Sequence, residues 1–274
     1  LPIKLYAPFP LQAQFELGDC GLAGKPVLAF AQARHYACAK IATEVRSMGD
    51  YAVVEPQVIS LLSMSTRPFP VRRIYCVGFN YKDHLTEMGT TPTEKPVFFM
   101  KPADAILQNG ETMPYPPGTS ELHHEVELVV AMNIGGKNIP PEKVNDMIFG
   151  YAVGLDMTRR DLQRAAKEKG QPWEMAKAFD FSAPCSSITP EMYTGVVAKG
   201  KIQLKVNGQM RQNADLSDMI WGVPELISYL SELVEIVPGD LIFTGTPAGV
   251  GPVVKGDEIE ATIAGLEPLI ITIG

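Results

Sequence analysis

The chain has 274 residues, with 24 Lys and Arg against 31 Asp and Glu and a formal net charge of −7. That balance argues against a nucleic-acid surface or an anionic membrane as the partner, and no apolar run approaches the roughly 20 residues of a transmembrane helix. Hydrophobic residues at 46% and charged residues at 20% are ordinary for a globular protein with a sizeable core.

Residues 1–65 carry weak periodicity and no chemical motif, apart from a short helix expected over residues 32–45. They read as an N-terminal extension or small subdomain, with Pro68 and Pro70 near the boundary. A second unit, 66–274, follows. No basic start followed by an apolar block suggests a secretory signal. Cys20, Cys38, Cys76 and Cys185 are scattered with no Cys-x-x-Cys pair, which points to reduced, buried thiols in a cytoplasmic protein.

From Val71 the pattern strengthens. Residues 73–78 read as a short strand turning at Gly78. A helix over 80–88 follows, with Asn80 suited to cap its start and Gly89 its end. Residues 96–100 form another apolar strand, and Asn109-Gly110 and Pro116-Pro117-Gly118 mark turns. The segment around Glu125 is a strand that ends at Ile134-Gly135-Gly136. Residues 141–148 and 158–169 look helical, with Thr158 and Asp161 spaced as a capping box. Residues 178–190 are extended, and 201–206 run into Asn207-Gly208, a hairpin signal. A helix lies within 217–233, and from Asp240 onward the chain is strands and Gly/Pro turns. Strands dominate with no regular βαβ alternation. The expectation is a mixed α/β, strand-rich β-roll or distorted β-barrel with short helices.

The most informative residues are acids. Glu125 and Glu127 lie two apart in His-His-Glu-Val-Glu-Leu-Val-Val-Ala, so on a strand both point one way while Val126 and Leu128 point the other. Asp156 ends the apolar run Gly-Tyr-Ala-Val-Gly-Leu-Asp. Neighbouring buried carboxylates repel and are costly to desolvate, and a divalent cation resolves the conflict. An all-oxygen donor set favours Mg2+ or Mn2+ over Zn2+. The plainer alternative places the glutamates on an exposed strand edge and Asp156 at a helix start. It leaves unexplained why Glu121, His123, Glu125 and Glu127 share one parity in an apolar segment. His123 on that face suits either a partner to the metal ligands or a satisfied core histidine.

His84 and Glu87, three apart on a helix, can pair so that the carboxylate orients the imidazole as a general base. On residues alone, a solvated helical face with an incidental contact is the simpler reading. Arg160, Gln163 and Lys177 offer a guanidinium, an amide and an ammonium to an anionic oxo-acid. Their plainer roles are a surface helix charge and a snorkelling lysine. Residues 241–252 form a glycine-rich loop without the Gly-Lys-Ser/Thr ending of a phosphate loop. Thr244 and Thr246 there could bind a carboxylate, or the segment is simply a turn.

Seven motifs follow in order: Tyr-Cys-Val-Gly-Phe-Asn-Tyr-x-x-His-x-x-Glu-Met, Pro-Val-Phe-Phe-Met-Lys-Pro, His-His-Glu-Val-Glu-Leu, Gly-Leu-Asp-Met-Thr-x-Arg-Asp-Leu-Gln, Trp-x-x-Ala-Lys-x-Phe-Asp, Asp-Leu-Ser-Asp-Met-Ile and Thr-Gly-Thr-Pro-x-Gly-Val-Gly-Pro. Over residues 50–274 the chain resembles the fumarylacetoacetate hydrolase (FAH) family, and within it the branch of fumarylpyruvate hydrolases and acylpyruvases. The resemblance implies a β-roll catalytic domain over 66–274, a homodimer, and Mg2+ or Mn2+ held by Glu125, Glu127 and Asp156. It implies His84 and Glu87 as a water-activating dyad on a lid, Lys177 as a catalytic cation, and Arg160, Gln163 and Thr246 as contacts to a small oxo-acid substrate. The implied reaction is hydrolysis of a C–C bond in a 2,4-dioxo acid to pyruvate and a second acid such as fumarate, in gentisate-type aromatic catabolism. The same site could instead decarboxylate oxaloacetate or isomerise an unsaturated oxo-diacid. A non-catalytic metal-stabilised scaffold is a third reading, against which the intact His84 and Glu87 count. One departure stands out: Phe79 occupies a position where members commonly carry Arg.

Overall fold

The computed structural model describes residues 59–64, 67–89, 91 and 93–274. The helix expected over 32–45, Cys20, Cys38 and most of the expected N-terminal extension lie outside them. The described elements fall in one unit, Val58–Gly274.

The elements that build the site are β1 (Arg73–Gly78), α1 (Lys82–Glu87), β2 (Val97–Lys101), β3 (Ile106–Gln108), β4 (Leu122–His124), β5 (Val126–Met132), β6 (Ile148–Leu155), α2 (Arg160–Glu168), α3 (Glu174–Lys177), β7 (Ala183–Cys185), β8 (Lys201–Val206), β9 (Gln209–Asp215), α4 (Val223–Leu233), β10 (Asp240–Phe243), β11 (Gly251–Val253), β12 (Glu258–Ile263) and β13 (Leu269–Ile273). The largest sheet runs β2-β1-β10-β5-β6-β7-β3, with Thr189–Pro190 joined to β6. A second sheet runs β9-β8-β12-β13 and ends on Thr112–Met113. A third, small sheet places β4 between Thr158–Arg159 and β11. Strands outnumber the short helices, as the sequence pattern implies.

Central position explains why β5 is buried at every residue rather than alternating. Its two faces serve two cores. Val126, Leu128, Val130 and Met132 join the cluster shared with Ile202, Leu204, Ile259, Ala261 and Ile271 of the second sheet. Val129 and Ala131 join Ile74, Cys76, Leu241 and Phe243 on the other face. Burying each such aliphatic side chain contributes about 1.5–3 kcal/mol. Glu127 shares the parity of Val129 and Ala131, so it is held in register at the end of an apolar row. Opposite it in the ladder stands Gly154. A Cβ there would come within 2.5 Å of Val129 and 2.6 Å of Phe243, so the strands pack this closely only on glycine.

Asn207 (φ 50°) and Gly208 (φ 76°) make the left-handed turn of the β8–β9 hairpin. Three local expectations are corrected. Residues 141–147 form two 3-10 turns, Pro141–Lys143 and Asn145–Met147, and β6 begins at Ile148. Asn80 does not cap α1, which starts after Tyr81 without a side-chain cap. Instead the buried Asn80 amide donates to the Trp221 and Thr244 carbonyls and accepts from the Trp221 N–H, bonds a local cap cannot match. Gly89, at φ 62°, does follow the helix. Thr158 and Asp161 form no capping box. Thr158 lies in a strand and bonds the Asp156 carbonyl, while Asp161 accepts from Thr119 and Ser120. Cys76 and Cys185 are buried free thiols. No helix among the described residues is long and apolar enough to cross a membrane.

Candidate active site

The chain passes from the small sheet to the large one at Glu125, between β4 and β5. There the Asp156 N–H donates to the Glu125 carbonyl at 2.9 Å, which sets the end of β6 beside the start of β5. Glu125, Glu127 and Asp156 are all buried, and one carboxylate oxygen from each lies within 4.8 Å of the others.

Three cations surround the triad, unevenly. Lys177, brought in by α3, donates to Glu125 at 2.8 Å and to Asp156 at 2.6 Å. Arg160, at the start of α2, pairs with Glu125 and bonds the Gln163 amide oxygen. Lys101, at the end of β2, lies 2.9 Å from Asp156 Oδ1 and donates to the backbone carbonyls of Met157 and Lys177. Among the described residues, Glu127 receives only the Gly245 N–H, at 2.8 Å. The electrostatics follow that distribution. Glu125 is buried, yet Lys177 and Arg160 outweigh its desolvation and hold its carboxyl well below the ordinary value. Glu127 is pushed well above it by burial and by the charges of Asp156 and Glu125. Burial lowers the Lys177 ammonium, but Asp156 and Glu125 together raise it overall.

The donor chemistry fits a hard divalent cation. Three carboxylates converge, and among the described residues Glu127 has no cation of its own. With Glu125, Glu127 and Asp156 against Lys101, Lys177 and Arg160, an added divalent ion would leave the cavity positive and suited to an anionic ligand.

His84, Glu125, Glu127, Asp156, Arg160, Gln163, Lys177 and Thr246 line one cavity, together with Phe79, Phe99, Lys167 and Trp173. Glu87 sits behind His84: its Oε2 is 3.1 Å from His84 Nδ1, and it also accepts the Gly249 N–H of the glycine-rich loop. The dyad is therefore tethered to that loop rather than being an incidental helical contact. The Thr244 hydroxyl, by contrast, turns away into the sheet and bonds the Leu128 carbonyl. His123 does not touch the triad. It accepts from Arg160 Nε at 3.3 Å and is held below its ordinary pKa by burial and by Arg160. Glu121 pairs with Arg164 outside the cluster. Phe79 stands at φ 65°, its ring edge-on to Trp173.

Gly245 explains one feature of the loop. It has φ 96°, and a Cβ would sit 2.7 Å from that of Asn80, so only glycine brings this N–H to Glu127.

Sequence reasoning missed two positioning residues. Lys101 was visible only as the polar end of Pro-Val-Phe-Phe-Met-Lys-Pro. Gln212, fully buried on β9, carries no sequence signal beyond being a polar residue in an alternating strand. Its Oε1 accepts from the Val126 N–H at 3.0 Å and lies 3.1 Å from His124 Nδ1. Because Val126 N–H can only donate and the Pro247 carbonyl can only accept, the amide has one orientation. Nε2 then donates to Pro247 and, at 2.8 Å, to Thr246 Oγ1, which leaves the Thr246 proton free for a ligand in the cavity. Gln212→Leu strands buried backbone groups at both ends and should cost about 3 kcal/mol. Calorimetric unfolding checks this, and an unchanged transition would refute the role.

The fumarylacetoacetate (FAA) hydrolase C-terminal family model matches residues 73–273. The chain is 44% identical over 181 residues to the fumarylpyruvate hydrolase of Ralstonia sp, covering 66% of this chain and 94% of that one. It is 45% identical over 195 residues to the mitochondrial oxaloacetate tautomerase FAHD1 of Homo sapiens, covering 71% of this chain and 88% of the relative. Among solved structures, fumarylpyruvate hydrolase from Pseudomonas aeruginosa in complex with Mn2+ and pyruvate superposes with a TM-score of 0.80 at 45% identity. That match covers 82% of this chain and 99% of the other. With a matching family model over most of its length, relatives near 45% identity and a shared fold, the chain belongs to the fumarylacetoacetate hydrolase family.

Proposed function

We propose that the protein is a divalent-metal-dependent hydrolase that splits the C–C bond of an acylpyruvate, such as 3-fumarylpyruvate, into pyruvate and a second acid. The observation that carries this reading is a His84–Glu87 dyad opening onto the cavity that holds the acidic triad, Lys177 and Arg160. Fumarylpyruvate hydrolases among the relatives support it.

Glu125, Glu127 and Asp156 would hold Mg2+ or Mn2+. The ion, when bound, supplies Lewis-acid polarisation at the 2-oxo-acid end of the substrate. Arg160, Gln163 and the Thr246 hydroxyl bind that acid. Glu87 accepts from His84 Nδ1–H, which fixes the tautomer and leaves Nε2 to take a proton from water. The resulting hydroxide attacks the distal C4 carbonyl. As the C3–C4 bond breaks, its electron pair passes to the pyruvate enolate. Lys177, a buried ammonium beside the triad, offsets the charge that develops there. Protonation at C3 completes pyruvate, and the acyl fragment leaves as a carboxylate. With fumarylpyruvate as substrate, the enzyme serves gentisate-type aromatic breakdown, as a cytoplasmic homodimer.

The oxaloacetate tautomerase relatives favour a second reading, in which the same base and cations interconvert the keto and enol forms of oxaloacetate without cleavage. Decarboxylation of oxaloacetate is a further variant of that enolate chemistry. Product analysis with Mn2+ separates them. Metal-dependent loss of 3-fumarylpyruvate yielding equal pyruvate and fumarate, abolished by EDTA, is the expected result. No loss, together with faster oxaloacetate enolisation or CO2 release, would move the assignment.

A further inference from the structure

Lys167 has no part in the mechanism above, yet it lines the same cavity. On α2, Arg160, Gln163 and Lys167 stand three and then four residues apart, so they share one helical face. Seven residues of helix put Lys167 about 10 Å along the axis from Arg160. A run of contacts leads outward in the same direction. Lys177, on the triad, lies 5.1 Å over the Phe99 ring, and Phe99 meets Trp173 at 6.0 Å. Trp173 and Phe79, edge-to-face at 5.9 Å, then carry the Lys167 ammonium at 5.1 and 4.8 Å from their centroids. Exposure rises along this path, from buried Lys177 to half-buried Phe79, Trp173 and Lys167.

Lys167 differs from the other cations of the site. Lys101, Lys177 and Arg160 each face a carboxylate. Among the described residues, Lys167 has neither a carboxylate nor a hydrogen-bond partner, only the two ring faces. Its pKa is pressed down first by burial and then by Arg160 and Lys177, with Glu125 opposing. The rings fix its position without satisfying its donors.

We infer that Lys167, seated on Phe79 and Trp173, is a specificity-determining residue that receives the distal carboxylate of the substrate, so that the preferred acylpyruvate is a dicarboxylate. The inference rests on the acylpyruvate reading for the identity of the substrate, but the anion site itself does not depend on catalysis. The rise of about 10 Å from Arg160 to Lys167 along the helix is on the scale of an extended seven-carbon diacid bound at its 2-oxo-acid end near the triad. A ligand with a neutral tail would leave the ammonium unpaired.

Two measurements on the full chain loaded with Mn2+ test this. The first is calorimetric binding of 2-oxoheptanedioate against 2-oxoheptanoate, equal in length and differing only in the distal carboxylate. The wild type should prefer the diacid by about 10-fold or more, the worth of a hydrogen-bonded ion pair, and Lys167→Met should remove that preference. The second is the ratio of kcat/KM for 3-fumarylpyruvate to that for acetylpyruvate. Lys167→Met should lower this ratio by about 10- to 100-fold, chiefly through KM, with Lys167→Arg retaining part of it. A wild type without the diacid preference, or a Lys167→Met protein that keeps it, overturns the inference, as does an unchanged ratio. If the wild type cleaves neither acylpyruvate, the hydrolase reading fails, and the binding comparison alone still decides the role of Lys167.

Discussion

Asp156→Asn should abolish measurable Mn2+ binding and turnover while destabilising the metal-free protein. Asp156 is the residue on which the site converges. Its Oδ2 accepts from Lys177 and its Oδ1 faces Lys101, both pairs almost wholly shielded from water. An amide of the same size cannot neutralise either ammonium. Lys177 keeps Glu125, but among the described residues Lys101 is left with two backbone carbonyls and the face of the Phe179 ring. Removing one partner of a buried ion pair costs about 3–5 kcal/mol, because an uncompensated charge stays behind. For a protein of this size that lowers the melting temperature by roughly 2–4 °C per kcal/mol. Metal binding falls for a separate reason, the loss of one of three carboxylates. Thermal unfolding with EDTA and calorimetric Mn2+ titration read the two effects independently. A variant that binds Mn2+ like the wild type would show that the triad is an ion-pair cluster with no ligand role.

His84→Ala should lower kcat by about 10²- to 10⁴-fold, the usual range for losing a general base, with Mn2+ binding retained. His84 lines the cavity without being one of the three clustered ligands, so removing it leaves the donor set intact. Glu87→Gln should fall between wild type and His84→Ala. The imidazole stays, but the carboxylate that fixes its tautomer is gone, and one of the contacts to Gly249 can persist. Loss of turnover together with loss of Mn2+ affinity in His84→Ala would instead make the histidine structural. Retention of full hydrolysis would move the base elsewhere in the cavity. Applied to oxaloacetate enolisation, the same variants show whether His84 serves one reaction or both.

Much of the site was legible because its residues are chemically out of place. Two glutamates and an aspartate inside apolar runs demand compensation wherever the chain folds, and they do converge. Spacing alone left His84 and Glu87 readable as an incidental helical contact and Arg160 as a surface charge. Their roles came from the family resemblance, and the fold sets His84, Arg160 and Gln163 around one cavity with Glu87 behind His84. Misreadings came where a local rule lost to a distant partner. Asn80 had the right identity for a cap, but backbone groups 141 and 164 residues away claim both ends of its amide. Thr158 and Asp161 had the right spacing, yet Thr158 is drawn into a strand beside β4. Thr244 and Thr246 look alike in the loop, and only the fold shows that one faces the sheet and the other the cavity.

The sequence by itself determined that this would be a strand-rich protein with a buried cluster of acids, because hydrophobic periodicity and misplaced charge are local properties of a chain. The fold alone decided how the charges are apportioned. Lys101 reaches the backbone carbonyl of Met157 across 56 residues, Gln212 reaches the Val126 N–H across 86, and Lys167 settles on rings contributed by β1's end and the approach to α3. Electrostatic and hydrogen-bond energies depend on distance in space. A lysine's role therefore becomes readable only once the sheet has set which carboxylates and rings stand beside it.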